Sequence, residues 1–179
     1  PAFNPNDREQ YAASRYRNRA TNDFFEPGSS IKPFIVAAGM ETGRYHPDTL
    51  IETGPGMMRV GIKTVKDKHN LGTIDVTTVL AKSSNVGVAK IAGTFAAEEM
   101  WRMFDDIGFG QPLRLGFPGE VGGRLRPFKA WRPIEQATMS YGHGISVTLM
   151  QMARAYLAFA RDGDLIPLSL TRQESAPTA

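Results

Sequence analysis

The sequence contains no cysteine and only three histidines among its 179 residues. The missing cysteines exclude disulfide bonds, thiolate catalysis and zinc sites built on cysteine. The histidines are scattered, at His46, His69 and His143, and do not form a cluster with metal-ligand spacing. We therefore expect neither a metal site nor a cofactor.

Long apolar runs and a strong excess of one charge are missing as well. No apolar stretch approaches the roughly 20 residues of a membrane span, and no signal-peptide pattern opens the chain. The formal net charge is +3, with a local concentration at Arg15, Arg17 and Arg19 beside Tyr11 and Tyr16. A nucleic-acid surface needs a basic stripe with stacking aromatic side chains, so we interpret this stretch as a solvated basic face. We expect no nucleic-acid partner and no membrane contact by this segment.

Hydrophobic residues make up 41% of the sequence, enough for one domain with a core. Period-two alternation over Met58–Val65, after the Gly54-Pro55-Gly56 turn, predicts a small hairpin. Strand is expected mainly within residues 56 to 66, and residues 108 to 133 are expected to form a long irregular loop. Apolar spacing and capping residues predict the remaining elements as helices: about Ser29–Thr42, a helix opened by Thr73-Ile74-Asp75 with its cap at Thr73 or Asp75, Val86–Phe95, Glu98–Ile107 and Thr148–Arg161.

A hydroxyl and an amine stand one helical turn apart in the stretch Phe25-Glu26-Pro27-Gly28-Ser29-Ser30-Ile31-Lys32-Pro33. The i, i+3 spacing brings Lys32 within hydrogen-bond reach of Ser29 if a helix begins there, capped by Ser29 or Ser30. A serine nucleophile needs such a base, and burial lowers the pKa of a lysine toward the value that a base requires. A capped helix with a solvated lysine has the same spacing, and S-x-x-K alone occurs about once by chance in a chain of this length.

A second element, Lys82-Ser83-Ser84-Asn85-Val86-Gly87, supplies an S-x-N downstream. S-x-x-K, an S-D-N-type element and K-T-G together are the signature of penicillin-binding proteins and class A β-lactamases. Lys63-Thr64-Val65 does not supply the third motif, because valine stands where glycine is required and the segment precedes the S-x-N.

The segments around the two motifs extend the likeness: Arg17-Asn18-Arg19-Ala20, Ser140-Tyr141-Gly142-His143-Gly144 and Val147 to Tyr156. With them, the chain closely resembles class B penicillin-binding proteins, nearest to the septal peptidoglycan D,D-transpeptidases of Gram-negative division. The resemblance extends from about Arg17 to Leu170.

The resemblance implies an α+β fold, namely the mostly helical lobe of the β-lactamase-like transpeptidase fold with a small β-hairpin. The main antiparallel sheet is expected to be largely missing. Residues 1–171 would then form a partial transpeptidase domain, and residues 172–179 a disordered tail.

By the same likeness, Ser29 is the acylated nucleophile, Lys32 its base and Ser83 the proton relay, while Asn85, with Ser84, binds substrate. The K-[ST]-G strand of the family, which binds the substrate carboxylate and completes the oxyanion hole, is absent. His143 stands where many relatives carry glutamine. We expect it to be structural, although lining the site would make activity sensitive to pH.

The implied function is a serine D,D-transpeptidase that cross-links peptidoglycan stem peptides, reacts with β-lactams and contacts divisome proteins during septal cell-wall synthesis. It would act at the periplasmic face of the inner membrane, with an anchor outside this chain. Two alternatives stay open: a penicillin-sensing or β-lactam-hydrolysing relative, and a non-catalytic fragment that docks to the divisome.

Overall fold

The computed structural model describes residues 6, 7, 9 and 17–172. Most of the regular structure within them is α-helical, and the strands are short. The helices are α1 (Arg19–Asn22), α2 (Lys32–Glu41), α3 (Val76–Ala81), α4 (Asn85–Ala92), α5 (Ala97–Asp106), α6 (Pro133–Met139) and α7 (Leu149–Ala160). The strands are β1 (Phe24–Phe25), β2 (Leu50–Glu52), β3 (Met57–Val60), β4 (Lys63–Lys66), β5 (Thr73–Asp75) and β6 (Val147–Thr148). The tail expected at 172–179 lies outside the described residues except for Arg172.

The strands pair in three separate two-stranded antiparallel ribbons. One is the predicted hairpin, in which β3 and β4 pair in the register Met57↔Lys66 to Val60↔Lys63. The other two ribbons, β2–β5 and β1–β6, show that the expectation of strand mainly at 56 to 66 was too narrow. Strands of two or three residues are too short to display a period-two pattern.

Two compact units are distinguished by their internal contacts. The first comprises residues 26–104 and 125–145. Its central element is α4, which packs against α2, α3, α6 and β4. The apolar residues of α4 point in every direction and are buried, as expected for a helix surrounded by other elements: Val86, Val88, Ala89, Ile91 and Ala92.

The second unit comprises residues 1–25, 105–124 and 146–179. Its longest helix, α7, is capped as predicted by Thr148, which forms a capping box with Gln151. The buried Gln151 amide also donates to the carbonyls of Gln111 and Gly122, at 2.8 Å each. These bonds fix part of the long loop that the glycines and prolines predict.

Two predicted helix starts differ from the structure. Thr73–Asp75 is strand β5, and α3 begins only after Asp75. Of the two predicted caps, Asp75 is confirmed, since it accepts from the Thr78 N–H at 2.7 Å. Before α2 the chain forms a 3-10 turn, Gly28–Ile31, whose N-cap makes no side-chain bond. The predicted cap by Ser29 or Ser30 is therefore wrong, because the Ser30 hydroxyl donates backwards to the Pro27 carbonyl at 2.6 Å.

Candidate active site

The Ser29 turn is held by a close approach of two backbone segments. Gly28 adopts a left-handed conformation with φ +57°, and its N–H donates to the Gly142 carbonyl at 3.2 Å. A Cβ on Gly142 would lie 2.1 Å from the Gly28 carbonyl oxygen, so only glycine fits there. The Ser140-Tyr141-Gly142 segment thereby fixes the turn that presents Ser29.

Glu26 connects the same two segments through its carboxylate. One oxygen accepts from the Gly144 N–H at 2.8 Å, and the other lies 3.0 Å from His143 Nδ1. These two hydrogen bonds, that of His143 first, lower the pKa of Glu26. His143 therefore contacts the acid that precedes the Pro27-Gly28 turn.

Lys32, the first residue of α2, is only 2% exposed, which is unusual for a lysine. Its amine donates to the Ser83 carbonyl at 2.5 Å, to Ser83 Oγ at 3.0 Å and to Asn85 Oδ1 at 2.8 Å. Burial lowers the pKa of Lys32 to about 8, against an opposing effect of the Asp67 charge. The amine is thus much closer to deprotonation at neutral pH than an exposed lysine.

Ser83 occupies a strained turn between α3 and α4. Its φ of +55° lies in the left-handed region, which serine rarely adopts. The N–H groups of Ser83 and Ser84 donate to the carbonyls of Leu80 and Val79 at 3.0 and 2.9 Å. This conformation lets both the carbonyl and the hydroxyl of Ser83 face Lys32.

Asp67, which directly follows β4, holds the start of α4 and was not identified from the sequence. Its carboxylate accepts from the N–H groups of Asn85 and Val86, at 2.5 and 3.0 Å, and from the Ser84 hydroxyl at 2.6 Å. Ser84 is 1% exposed and caps α4 by accepting from the Gly87 N–H at 2.8 Å. Ser84 thereby fixes the first turn of α4, while its substrate-binding role stays a prediction.

Asn85 uses both ends of its side-chain amide within the site. Its oxygen accepts from Lys32, and its Nδ2 donates to the Lys66 carbonyl at 3.0 Å. The residue therefore links α2 to the end of the hairpin, and its amide would exchange one of these partners to pair with a substrate amide.

The structure brings Ser29, Ser83 and Asn85 to one cavity of about 220 Å³. The other lining residues come mostly from the segment that follows β4: Asp67, Lys68, His69, Leu71 and Lys82. Among the described residues, no hydrogen bond joins Ser29 Oγ to the Lys32 amine, although the i, i+3 spacing led us to expect one. The amine is directed instead to the turn between α3 and α4, where its three acceptors lie.

The chemistry available here is that of an exposed serine beside a buried amine of lowered pKa. A neutral amine donates only two hydrogens and has a lone pair, so one of the three contacts would reverse on deprotonation. Ser83 Oγ is the one partner that can both accept from the amine and donate to it. No group of three or more acidic or histidine residues suited to a metal occurs within residues 17–172.

Comparison with known proteins places this site in a family. A model of the penicillin-binding protein transpeptidase domain matches residues 1–178. The chain is 44% identical over 177 residues to a probable peptidoglycan D,D-transpeptidase PenA of Neisseria gonorrhoeae, covering 99% of the chain and 30% of that protein. It is 35% identical over 172 residues to the peptidoglycan D,D-transpeptidase FtsI of Escherichia coli K12, covering 96% and 29%.

Solved structures agree with these relatives. A peptidoglycan glycosyltransferase structure from Burkholderia ambifaria superposes with a TM-score of 0.87 at 50% identity, covering 91% of this chain and 52% of that one. The transpeptidase domain of penicillin-binding protein 3 from Burkholderia pseudomallei gives 0.86 at 50% identity, covering 90% and 49%. The chain spans about 30% of the length of the PenA and FtsI relatives named above. It belongs to the penicillin-binding protein transpeptidase domain family.

Proposed function

We propose that this chain carries the nucleophile and proton-transfer groups of a serine D,D-transpeptidase that cross-links peptidoglycan stem peptides. The observation that carries the proposal is the buried Lys32 amine, bonded to Ser83 and Asn85 beside the cavity that Ser29 lines. A buried lysine of lowered pKa without an acidic partner in hydrogen-bond contact serves catalysis better than stability.

In the proposed reaction, Ser29 Oγ attacks the carbonyl carbon of a stem-peptide bond while its proton passes to Lys32. The carbon–nitrogen bond breaks, and the proton reaches the leaving amine through Ser83. The amine of a second stem peptide then attacks the ester on Ser29, which forms the cross-link and frees the serine. Asn85 holds an amide of the donor peptide.

A β-lactam follows the first half of this path, because its strained amide also acylates Ser29. The relatives named peptidoglycan D,D-transpeptidases support stem peptides as the substrate class. From the resemblance of its motifs to the septal transpeptidases, we also propose a role in septal cell-wall synthesis, with divisome proteins as partners, at the periplasmic face of the inner membrane. No helix in the described part of the chain is both long enough and apolar enough to cross a membrane.

The test is covalent labelling of the full-length protein with a fluorescent penicillin, analysed on denaturing gels. Ser29→Ala should abolish the labelled band. The matched control is Ser30→Ala, which removes the neighbouring hydroxyl bonded to Pro27 and should keep the band.

Other outcomes point to the alternatives. A labelled band that persists in Ser29→Ala would remove Ser29 as the nucleophile. A full-length protein without any band would favour the non-catalytic docking module. Rapid loss of the label with release of hydrolysed penicillin would favour a β-lactam-hydrolysing relative.

A further inference from the structure

We infer that the cavity beside Ser29 contains a subsite for a carboxylate of the acyl-donor stem peptide, formed by Lys68, His69 and Lys82. The inference rests on the proposed function, because it names the part of the donor that the cavity recognises. Its basis is the placement of these side chains and the absence of an ion-pair partner for the two lysines in the described part of the chain.

The three side chains converge from two separate segments. Lys68 and His69 lie in the connection between β4 and β5, and Lys82 is the C-terminal cap residue of α3. All three line the cavity that Ser29, Ser83 and Asn85 also line. A group bound among them is therefore next to the nucleophile.

Within residues 17–172, no ion pair balances the two lysine charges of this cavity. Lys68 and Lys82 are both exposed. Asp67 is the one acid among the lining residues, but its carboxylate already accepts from Ser84, Asn85 and Val86. The lysine charges therefore remain available to an anionic ligand.

The position and size of the cavity indicate which anion it takes. Stem peptides carry free carboxylates. The donor peptide must extend away from the carbonyl carbon that Ser29 attacks. About 220 Å³ accommodates one side chain with its terminal carboxylate. A carboxylate of the donor, close in the chain to the reacting carbonyl, meets these requirements of charge, size and position.

The experiment uses the full-length protein and two synthetic thioester acyl donors that differ only in one side-chain terminus, carboxylate or primary carboxamide. Release of thiol reports acyl transfer to Ser29, and this chain contributes no cysteine to the background. The readout is the ratio of kcat/KM for the carboxylate donor to that for the carboxamide donor. We expect a ratio of about 10 in the unmodified protein and a value near 1 in the double variant Lys68→Gln, Lys82→Gln.

The matched control is Lys63→Gln with Lys129→Gln, which removes the same charge from exposed lysines that do not line the cavity. It should keep the unmodified ratio, whereas an equal fall in both double variants would show a general charge effect and overturn the subsite. Equal rates for both donors, with penicillin labelling intact, would also overturn the subsite while leaving the proposed function standing. Failure of both donors together with absent labelling would overturn the proposed function and the subsite with it.

Discussion

Replacing Asp67 should lower the pKa of Lys32, the proposed base. Asp67→Asn preserves the shape of the side chain but removes its charge and one of its two acceptor oxygens. The carboxylate now holds two backbone N–H groups and one hydroxyl at the start of α4. Hydrogen bonds to a charged group contribute about 1.5–3 kcal/mol each, and asparagine keeps part of them. We therefore expect a loss of about 1–2 kcal/mol in the free energy of unfolding.

The effect on catalysis has a definite direction. The negative charge of Asp67 raises the pKa of Lys32, opposing the burial that lowers it to about 8. Without that charge the pKa of Lys32 falls further. Because the neutral amine is the proposed base, the acidic limb of the acylation rate should move to lower pH. Displacement of Ser83 and Asn85 should also reduce the plateau rate by about tenfold, equivalent to about 1.4 kcal/mol.

The assay is the second-order rate of labelling by a fluorescent penicillin between pH 6 and about 10, with urea unfolding measured on the same samples. Asp48→Asn, in the exposed loop before β2, is the matched control and should leave both curves unchanged. An Asp67→Asn protein that loses stability while its acidic limb stays in place would refute the coupling to Lys32. In that case Asp67 would only anchor the helix.

Three further predictions address other contacts. Gly142→Ala should abolish penicillin labelling, since its Cβ would collide with Gly28. The control Gly163→Ala has a similar positive φ with open space around it, and should keep the labelling. Normal labelling of Gly142→Ala would contradict the role of the close approach between Gly142 and Gly28. Supplied alone, the 179-residue chain should react with a fluorescent penicillin at least about 10²-fold more slowly than a protein extended through a K-[ST]-G strand. The reason is that losing one oxyanion donor typically costs about 10²–10³ in rate. Equal rates would show that this strand is dispensable. Hydrogen bonds from the Arg132 N–H and from Arg126 lower the pKa of Glu135 from 4.5 to about 2. The contribution of Glu135 to stability is therefore complete above pH 4.5 and is lost as the pH falls toward 2. The free energy of unfolding of Glu135→Gln should fall less steeply over that pH range, and an unchanged pH dependence would exclude a contribution of Glu135.

The sequence predicts the elements whose signals are local. The hairpin follows from alternation in Met58–Val65, and α7 follows from its Thr148 cap and apolar spacing. The β2–β5 ribbon could not be predicted in this way, because strands Leu50–Glu52 and Thr73–Asp75 have three residues each and meet across 20 intervening residues. Asp75 is both the last residue of β5 and the cap of α3, so the capping signal was right while Thr73 and Ile74 were wrongly assigned to the helix start.

Within the candidate site, too, the residues in local motifs could be predicted and those with distant partners could not. Motif spacing in the sequence predicts Ser29, Lys32, Ser83 and Asn85 as candidates, and the structure brings them to one region of the first unit. Asp67 was missed because its partners lie 17 to 19 residues further on and no local pattern connects them. The strained φ of Ser83 could not be predicted either, because a serine at that position is equally compatible with an ordinary turn.

The bond from the Gly28 N–H to the Gly142 carbonyl has a consequence for the time at which this site forms during synthesis. The two residues are 114 positions apart, from 142 − 28, so a ribosome must add most of this chain before the second one exists. A nascent chain that already exposes Ser29 and Lys32 lacks the partner that fixes the Ser29 turn. Contacts of such large sequence separation form late, because the intervening chain must first be closed into a loop. Reactivity toward penicillin should therefore be acquired only after residue 142 has left the ribosome, which makes acylation a marker of late folding.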